Sequence, residues 1–340
     1  MSSPQQHTPY TVVGAGAIGG TLAHHLASAG HQVTVVDVDR EHIAAISAGG
    51  ISLTRGEETV SVPVVAAFTS QHGPETVGRV LLAVKAQATE EALDWIVPRI
   101  ADDGFVVSLQ NGLNEEVIAA RVGRERTVGA FVNLFADVVG PGVIRDGGLG
   151  ALVVGEMDAE VSPRVESVVA DLQCWGPARA TANISGYLWS KLGFGAMLSA
   201  TALADAPMAD LIDRHRELMH GLAAEVFEVA VRLGIVLEPF DGFDPTPYAG
   251  SNDAARHAAT DGLVAWLRTQ SKDRSGIWRD LAVRHRATEV PTHYGPVLEA
   301  AASVGVDTPL VRGMLEQIGK LENGAAMSED RLSVLEGGPA

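Results

Sequence analysis

Gly14, Gly16 and Gly19 stand at the spacing G-x-G-x-x-G in the run Gly14-Ala15-Gly16-Ala17-Ile18-Gly19. The chemistry such a spacing serves is the holding of a pyrophosphate. The first glycine permits a tight turn, the second lets backbone approach the phosphates, and the third lets a helix pack closely on a strand. A helix starting there aims N–H groups and the positive end of its dipole at the anion. Asp37 follows Gly19 by eighteen residues, where a carboxylate can accept hydrogen bonds from ribose hydroxyls. Further along, Lys85 and Asn111 each follow a short apolar run, Lys191 opens a long apolar stretch, and Glu289 closes Arg286-Ala287-Thr288-Glu289. A lysine ammonium can stabilise an alkoxide and then protonate it, whereas arginine would hold its proton. Lysine occurs only at Lys85, Lys191, Lys272 and Lys320, so its use beside an apolar helix is informative. The plainer readings are a Lys191 that snorkels to water and a Glu289 paired with a nearby arginine at a solvated helix end. Gly195 and Ser199 share the helical face of Lys191 at i+4 and i+8, and residues so small would leave room there for a ligand.

The elements that must position these residues follow from periodicity. A β-branched run at residues 11–13 leads into the glycines. Ile18, Leu22, His25, Leu26 and Ala29 then recur at helical spacing up to Gly30, and residues 32–36 form a second strand ending in Asp37. Strand, glycine turn, helix, strand and acid together predict a bound dinucleotide. A helix is expected over 40–48, and a β-hairpin over 51–54 and 59–67 as an insertion in the wind. Strands over 79–84 and 105–109 flank a helix over 89–100 that Pro98 would kink. Ligands of doubly wound sheets sit beyond the carboxyl ends of the strands, so Gly14, Asp37, Lys85 and Asn111 are expected to line one cleft. Short strands over 128–132, 143–145 and 151–155, a helix over 163–173 and a strand over 178–181 complete this part.

From Asn183 the pattern turns helical, over 184–204, 210–233, 253–268, 275–286, 291–304 and 309–321. A loop over 239–251 is rich in proline and glycine, and the tail after Asn323 is expected to fray. The expected fold is α/β: a Rossmann-type dinucleotide-binding domain over 8–182 and an all-helical substrate domain over 183–325.

The chain has 340 residues, enough for two cores, and 46% of them are hydrophobic, which argues against extensive disorder. A net charge of -17 argues against nucleic acid or an anionic membrane as partner. Cys174 is the single cysteine, so it forms no intramolecular disulfide, and it reads as a small buried hydrophobe beside Trp175. No Cys/His group has zinc spacing along the chain, and no metal is expected. The opening MSSPQQHTPY lacks the features of a signal peptide, and the apolar run Leu192 to Ala204 is too short for a bilayer. A soluble, cytoplasmic protein is expected.

In order and spacing these residues resemble the ketopantoate reductase (2-dehydropantoate 2-reductase) family. The resemblance runs through GAGAIG at Gly14 to Gly19, Val84-Lys85, Gln110-Asn111-Gly112 and NISGYLWSKL at Asn183 to Leu192. It continues through RATEV at Arg286 to Val290 and Gly305-Val306-Asp307-Thr308-Pro309. It implies a Rossmann domain, a helical C-terminal domain, substrate held in the cleft between them, and hydride transfer from a reduced nicotinamide to a 2-oxo acid. On that carry-over Lys191 matches the general acid and Glu289 the carboxylate that positions substrate. Asn111 and Lys85 match residues beside nicotinamide and substrate. The chain departs from the family pattern where asparagines usually stand four and eight residues after the lysine; here these are Gly195 and Ser199. The usual Ser-Ser-Met is Ser275-Gly276-Ile277. Reaction class carries over; substrate identity does not.

Asp37 favours NAD(H), since a carboxylate there would repel a 2′-phosphate. The alternative is NADP(H), which the resembled family mostly uses and which Arg40 could serve. Two other functions keep the dinucleotide: a reductase of an imine or another carbonyl, and a non-catalytic sensor. The expected partner is a small-molecule 2-oxo acid, with a homodimer as the assembly to test.

Overall fold

Every residue of the first strand, Tyr10–Val13 (β1), is buried in the computed structural model, which describes residues 9–69, 72–270 and 272–337. The opening segment 1–8, read above for a targeting signal, lies outside the described residues. A strand buried on both faces belongs inside a parallel sheet. After β1 come Ala17–Ser28 (α1), Val33–Asp37 (β2), Arg40–Gly49 (α2), Ile51–Arg55 (β3), Glu58–Val62 (β4), Ala66–Thr69 (β5) and Val77–Leu82 (β6). Strand β1 pairs in parallel with β2 on one side and β6 on the other, with Val12 opposite both Val35 and Leu81.

The rest of this unit comprises Thr89–Ile96 (α3), Ile100–Ser108 (β7), Glu115–Val122 (α4), Thr127–Val132 (β8), Ala136–Gly140 (β9), Val143–Asp146 (β10), Leu152–Glu156 (β11), Pro163–Leu172 (α5) and Ala178–Thr181 (β12). The main sheet runs β12-β11-β8-β7-β6-β1-β2-β5, parallel except for the β8–β11 pair. Apolar cores lie against it: Leu22, Leu26, Val165 and Val168 pack in one, Leu93, Ile96, Ile118 and Val122 in another.

Local differences from the sequence expectation have physical causes. The hairpin β3–β4 is not a free insertion, because β3 also pairs with β10, giving a second sheet in the order β4-β3-β10-β9. Residues 66–67, expected in that hairpin, belong to edge strand β5 of the main sheet. Helix α3 ends at Ile96, before Pro98, and the chain is already extended at Ile100. A proline cannot supply the N–H that another turn would need. Cys174 is half-buried, and burial still pushes its thiol up to about 11, so at neutral pH it behaves as a hydrophobe.

The chain divides after Ile184 into a second unit, Ser185–Ala340. The helices from that junction onward are Ile184–Thr201 (α6), Met208–Arg214 (α7), Arg216–Arg232 (α8), Thr246–Ala249 (α9), Asp253–Thr269 (α10), Gly276–Ala282 (α11), Val290–Val304 (α12), Pro309–Glu322 (α13) and Asp330–Glu336 (α14). The helix expected over 210–233 is two helices, broken at His215. That imidazole sits 2.9 Å from Glu329 and 2.7 Å from Glu336. The same contacts correct the frayed tail: α14 buries Leu332 and Leu335, and Arg214 clamps Glu329 at 2.8 and 3.0 Å. Hydrophobic spacing along the tail could not reveal anchors that lie more than a hundred residues upstream.

Candidate active site

Gly14 leaves β1 with φ +97°, and a Cβ there would lie 2.6 Å from the Val84 backbone nitrogen. Only glycine serves at such a turn. At Gly19 a Cβ would come within 2.0 Å of the Gly14 carbonyl oxygen, so the third glycine lets α1 cross β1 closely. A Cβ at Gly16 would meet nothing within 4 Å, and no side chain caps α1. The half-exposed turn Gly16-Ala17-Ile18 thus presents open space and a helix N-terminus, which fits a dinucleotide's pyrophosphate.

Ala15 is gripped from both sides. Its N–H donates to Asp37 Oδ2 at 2.8 Å, while Asp37 Oδ1 accepts the Asp39 N–H at 2.9 Å. Its carbonyl lies 2.9 Å from His42 Nε2, and His42 Nδ1 accepts the Gly142 N–H at 3.0 Å. With Nδ1 accepting, the proton of neutral His42 sits on Nε2 and points at Ala15. Sequence reading missed His42. Its place on the inner face of α2 was legible, but its reach to the glycine turn was not.

Lys85 and Asn111 are exposed and follow β6 and β7, as the expected strand ends required. Buried Gln110 ties their loops together, donating to the Val84 carbonyl at 3.0 Å and to Thr89 Oγ1 at 2.8 Å. Asn114 Nδ2 donates to the Asn111 carbonyl at 2.7 Å.

Lys191 lies in the second turn of α6. The residue is half-buried, but its ammonium is far enough from water that desolvation lowers it from the usual lysine range to about 8. Asp241 and then Glu289 oppose that shift. Asp241 was not singled out from sequence. It occupies a left-handed corner, φ +44°, between Phe240 and Phe243, whose backbones bond reciprocally at 2.8 and 3.0 Å. The buried Ser190 hydroxyl accepts the Glu238 N–H at 3.0 Å, fastening that segment to α6. Glu289 is the N-cap residue of α12. Beside it, Thr288 donates its N–H and hydroxyl to Glu322 at 2.7 and 2.8 Å. Arg286 pairs with Asp280 at 2.8 Å.

Gly195, Ser199 and Ser275 have local duties. The Tyr294 hydroxyl occupies the space beside Gly195: a Cβ there would lie 2.9 Å from it. Tyr294 is buried, its hydroxyl donates to the Leu192 carbonyl at 2.8 Å, and burial pushes its phenol up. Ser199 donates back to the Gly195 carbonyl at 2.7 Å, and Ser275 caps α11 by accepting the Trp278 N–H at 3.2 Å. Within 4 Å of a Cβ at Gly195 the Tyr294 hydroxyl is the single neighbouring atom, so it limits what could stand at position 195 on one side.

A glycine turn shaped for a dinucleotide and a desolvated lysine facing two carboxylates define a dinucleotide-dependent oxidoreductase. The chain belongs to the ketopantoate reductase family. The family description Ketopantoate reductase PanE/ApbA matches residues 10–159, and its C-terminal counterpart matches residues 183–322. The 2-dehydropantoate 2-reductase of Mesorhizobium japonicum is 31% identical over 254 residues, covering 66% of this chain and 76% of that one. That of Pyrococcus abyssi is 26% identical, covering 88% and 93%. A PanE/ApbA family ketopantoate reductase from Ralstonia eutropha superposes with a TM-score of 0.75 at 25% identity, covering 92% of this chain and 98% of that one. A D-mandelate dehydrogenase, solved with NADH and anilino(oxo)acetate, shares the fold at a TM-score of 0.77 and 21% identity, covering 92% and 98%. Among the described residues no helix is long and apolar enough to cross a membrane.

Proposed function

We propose that this chain reduces a 2-oxo acid to the 2-hydroxy acid, with Lys191 as proton donor. The supporting observation is the ammonium itself, lowered to about 8 by desolvation and faced by Asp241 and Glu289. A general acid works best with a pKa near the operating pH, and an ordinary surface lysine lies too high for that. When bound, a reduced nicotinamide supplies hydride to the carbonyl carbon. Lys191 polarises the carbonyl oxygen and then protonates the alkoxide, which a low-dielectric setting favours. Glu289, held by its anchored neighbours, positions a donor group of the substrate. Asn111 and Lys85, which the family resemblance puts beside nicotinamide and substrate, belong to the same reading.

NAD(H) is the proposed cofactor. The Asp37 carboxylate is fixed by two backbone N–H groups at the end of β2, where it would meet a 2′-phosphate with like charge. Ketopantoate is proposed to be a poor substrate, because position 195 has no side chain and the Ser199 and Tyr294 hydroxyl hydrogens are spent on helix carbonyls. Each missing hydrogen bond to substrate costs about 1 kcal/mol. A cytoplasmic location and a homodimer belong to the same reading, and light scattering tests the latter.

The experiment is a steady-state panel of branched 2-oxo acids, ketopantoate included, with NADH or NADPH and with or without amines. Turnover of an oxo acid other than ketopantoate, best with NADH and without amine, is expected. No turnover of any 2-oxo acid would overturn the activity. A kcat/KM about tenfold higher with NADPH, roughly 1.4 kcal/mol, would overturn the cofactor assignment.

A further inference from the structure

We propose that Glu217, His220 and His257, far from Lys191 in sequence, form a binding site for one divalent ion of the zinc class. Each offers a ligand atom, and these atoms lie within 4.8 Å of one another. Glu217 and His220 stand at i, i+3 on α8, which puts them on one face, and His257 comes from α10. Their sources on separate helices explain why no zinc spacing is visible along the chain. Ligand atoms of a tetrahedral zinc at about 2.0–2.1 Å are roughly 3.3 Å apart. Glu217 Oε1 and His257 Nε2 already stand at 3.3 Å.

His220 carries the second, independent sign of a ligand. It is 2% exposed, and its Nε2 lies 2.8 Å from Thr260 Oγ1. The Thr260 hydroxyl has one hydrogen, which it donates to the Arg256 carbonyl at 2.9 Å. The Thr260 oxygen therefore accepts from His220, so Nε2 carries the imidazole proton and Nδ1 bears the lone pair. A metal-bound histidine is held in the same way, with its far N–H given to a neighbouring acceptor. The nearby cations are offset: Arg216 is paired with Asp213 and Asp261, and Arg256 with Asp253.

Two imidazoles and a carboxylate suit Zn²⁺, Co²⁺ or Ni²⁺, whereas Mg²⁺ and Ca²⁺ prefer all-oxygen sets. Glu217 is 80% exposed, so the ion enters from solvent, and a fourth position is left for water. Such an ion would clamp α8 to α10. The competing account makes Glu217–His257 an ordinary surface ion pair and His220 a core side chain satisfied by Thr260.

Full-length, tag-free protein stripped with chelator and titrated with Zn²⁺ by calorimetry, and with Co²⁺ by visible absorption, decides between them. One equivalent of Zn²⁺ and the intense bands of four-coordinate cobalt are expected. Glu217→Gln, at an exposed position, and His257→Ala, at a half-exposed one, should each weaken Zn²⁺ at least about tenfold, and Thr260→Val by about tenfold through the His220 ring. Absence of binding, or an affinity unchanged in both His257→Ala and Glu217→Gln, would overturn the site.

Discussion

The glycine turn takes nearly all its parts from one stretch, Tyr10 to Asp37, with His42 and Gly142 reaching in from outside it. The Lys191 face instead gathers α6, the corner at Asp241 and the start of α12, spread from residue 191 to residue 289. The first offers backbone N–H groups and open space, so its demands fall on residue size and on φ. On the proposed reading the second works through the solvation and charge of one ammonium, so its demands fall on what is packed around that group. Damage to the turn should therefore weaken cofactor binding, while damage to the lysine face should slow turnover and shift its pH dependence.

The largest effect expected is at Lys191. Lys191→Met should lower kcat for reduction by about 10² to 10⁴, the usual contribution of a general acid, with dinucleotide affinity unchanged. It should also stabilise the protein at pH 7. Burial lowers Lys191 to about 8, below its unfolded value, so the folded state carries a penalty for the charged ammonium below pH 8. That penalty fades as pH rises towards about 10.4, where the unfolded chain also loses its proton. A gain of the order of 2–3 kcal/mol in urea unfolding at pH 7, shrinking at high pH, would match this account. A loss of stability would contradict it.

On the other side of the comparison, His42→Ala should weaken dinucleotide binding and leave kcat at saturating cofactor nearly intact. It removes the group bonded to the Ala15 carbonyl and the Gly142 N–H, and stranded buried polar groups cost about 1–3 kcal/mol. Fluorescence titration with NADH should show Kd rising roughly five- to hundredfold.

A smaller effect tests the packing around Gly195. Gly195→Asn should destabilise the fold by about 1–3 kcal/mol, because its Cβ meets the buried Tyr294 hydroxyl. Tyr294→Phe in the same chain removes that oxygen and should recover part of the loss. A double-mutant cycle by thermal unfolding reads the coupling, and additive effects would mean the contact is not a constraint. Ketopantoate activity is expected to improve in the variant combining Gly195→Asn, Ser199→Asn and Tyr294→Phe, and not where Tyr294 is kept.

Asp241→Asn should have the smallest effect. Removing an opposing negative charge shifts the high-pH limb of the reductive rate to lower pH, by about half a unit for a partly exposed pair.

The same contrast governs how much was legible in the sequence. The turn, its helix, β2 and Asp37 follow from local spacing, and strand β12 lies where periodicity put it, over Ala178–Thr181. Parallel strands buried on both faces announce themselves as unbroken apolar runs. Tertiary pairing was not legible: β3 with β10, His215 with Glu329 and Glu336, and His42 with Ala15. Lys191 and Glu289 were picked out by residue type and by resemblance, but Asp241 and Tyr294 were not. Their importance comes from a corner and a packing contact that no periodicity encodes. At Gly195 the small residue was legible, but the Tyr294 hydroxyl 2.9 Å from its Cβ position was not.

The central claim is that Lys191 supplies the proton. Its most direct test is the pH dependence of kcat/KM for reduction of the best 2-oxo acid, measured for wild type and Lys191→Arg. Wild type should lose activity as pH rises through about 8, as the ammonium deprotonates. Lys191→Arg, which keeps its charge and its proton, should be slower by about 10² to 10⁴ and should lack that limb. A Lys191→Arg enzyme within about threefold of wild type, or one that keeps the same descending limb, would contradict the claim and turn attention to Lys85.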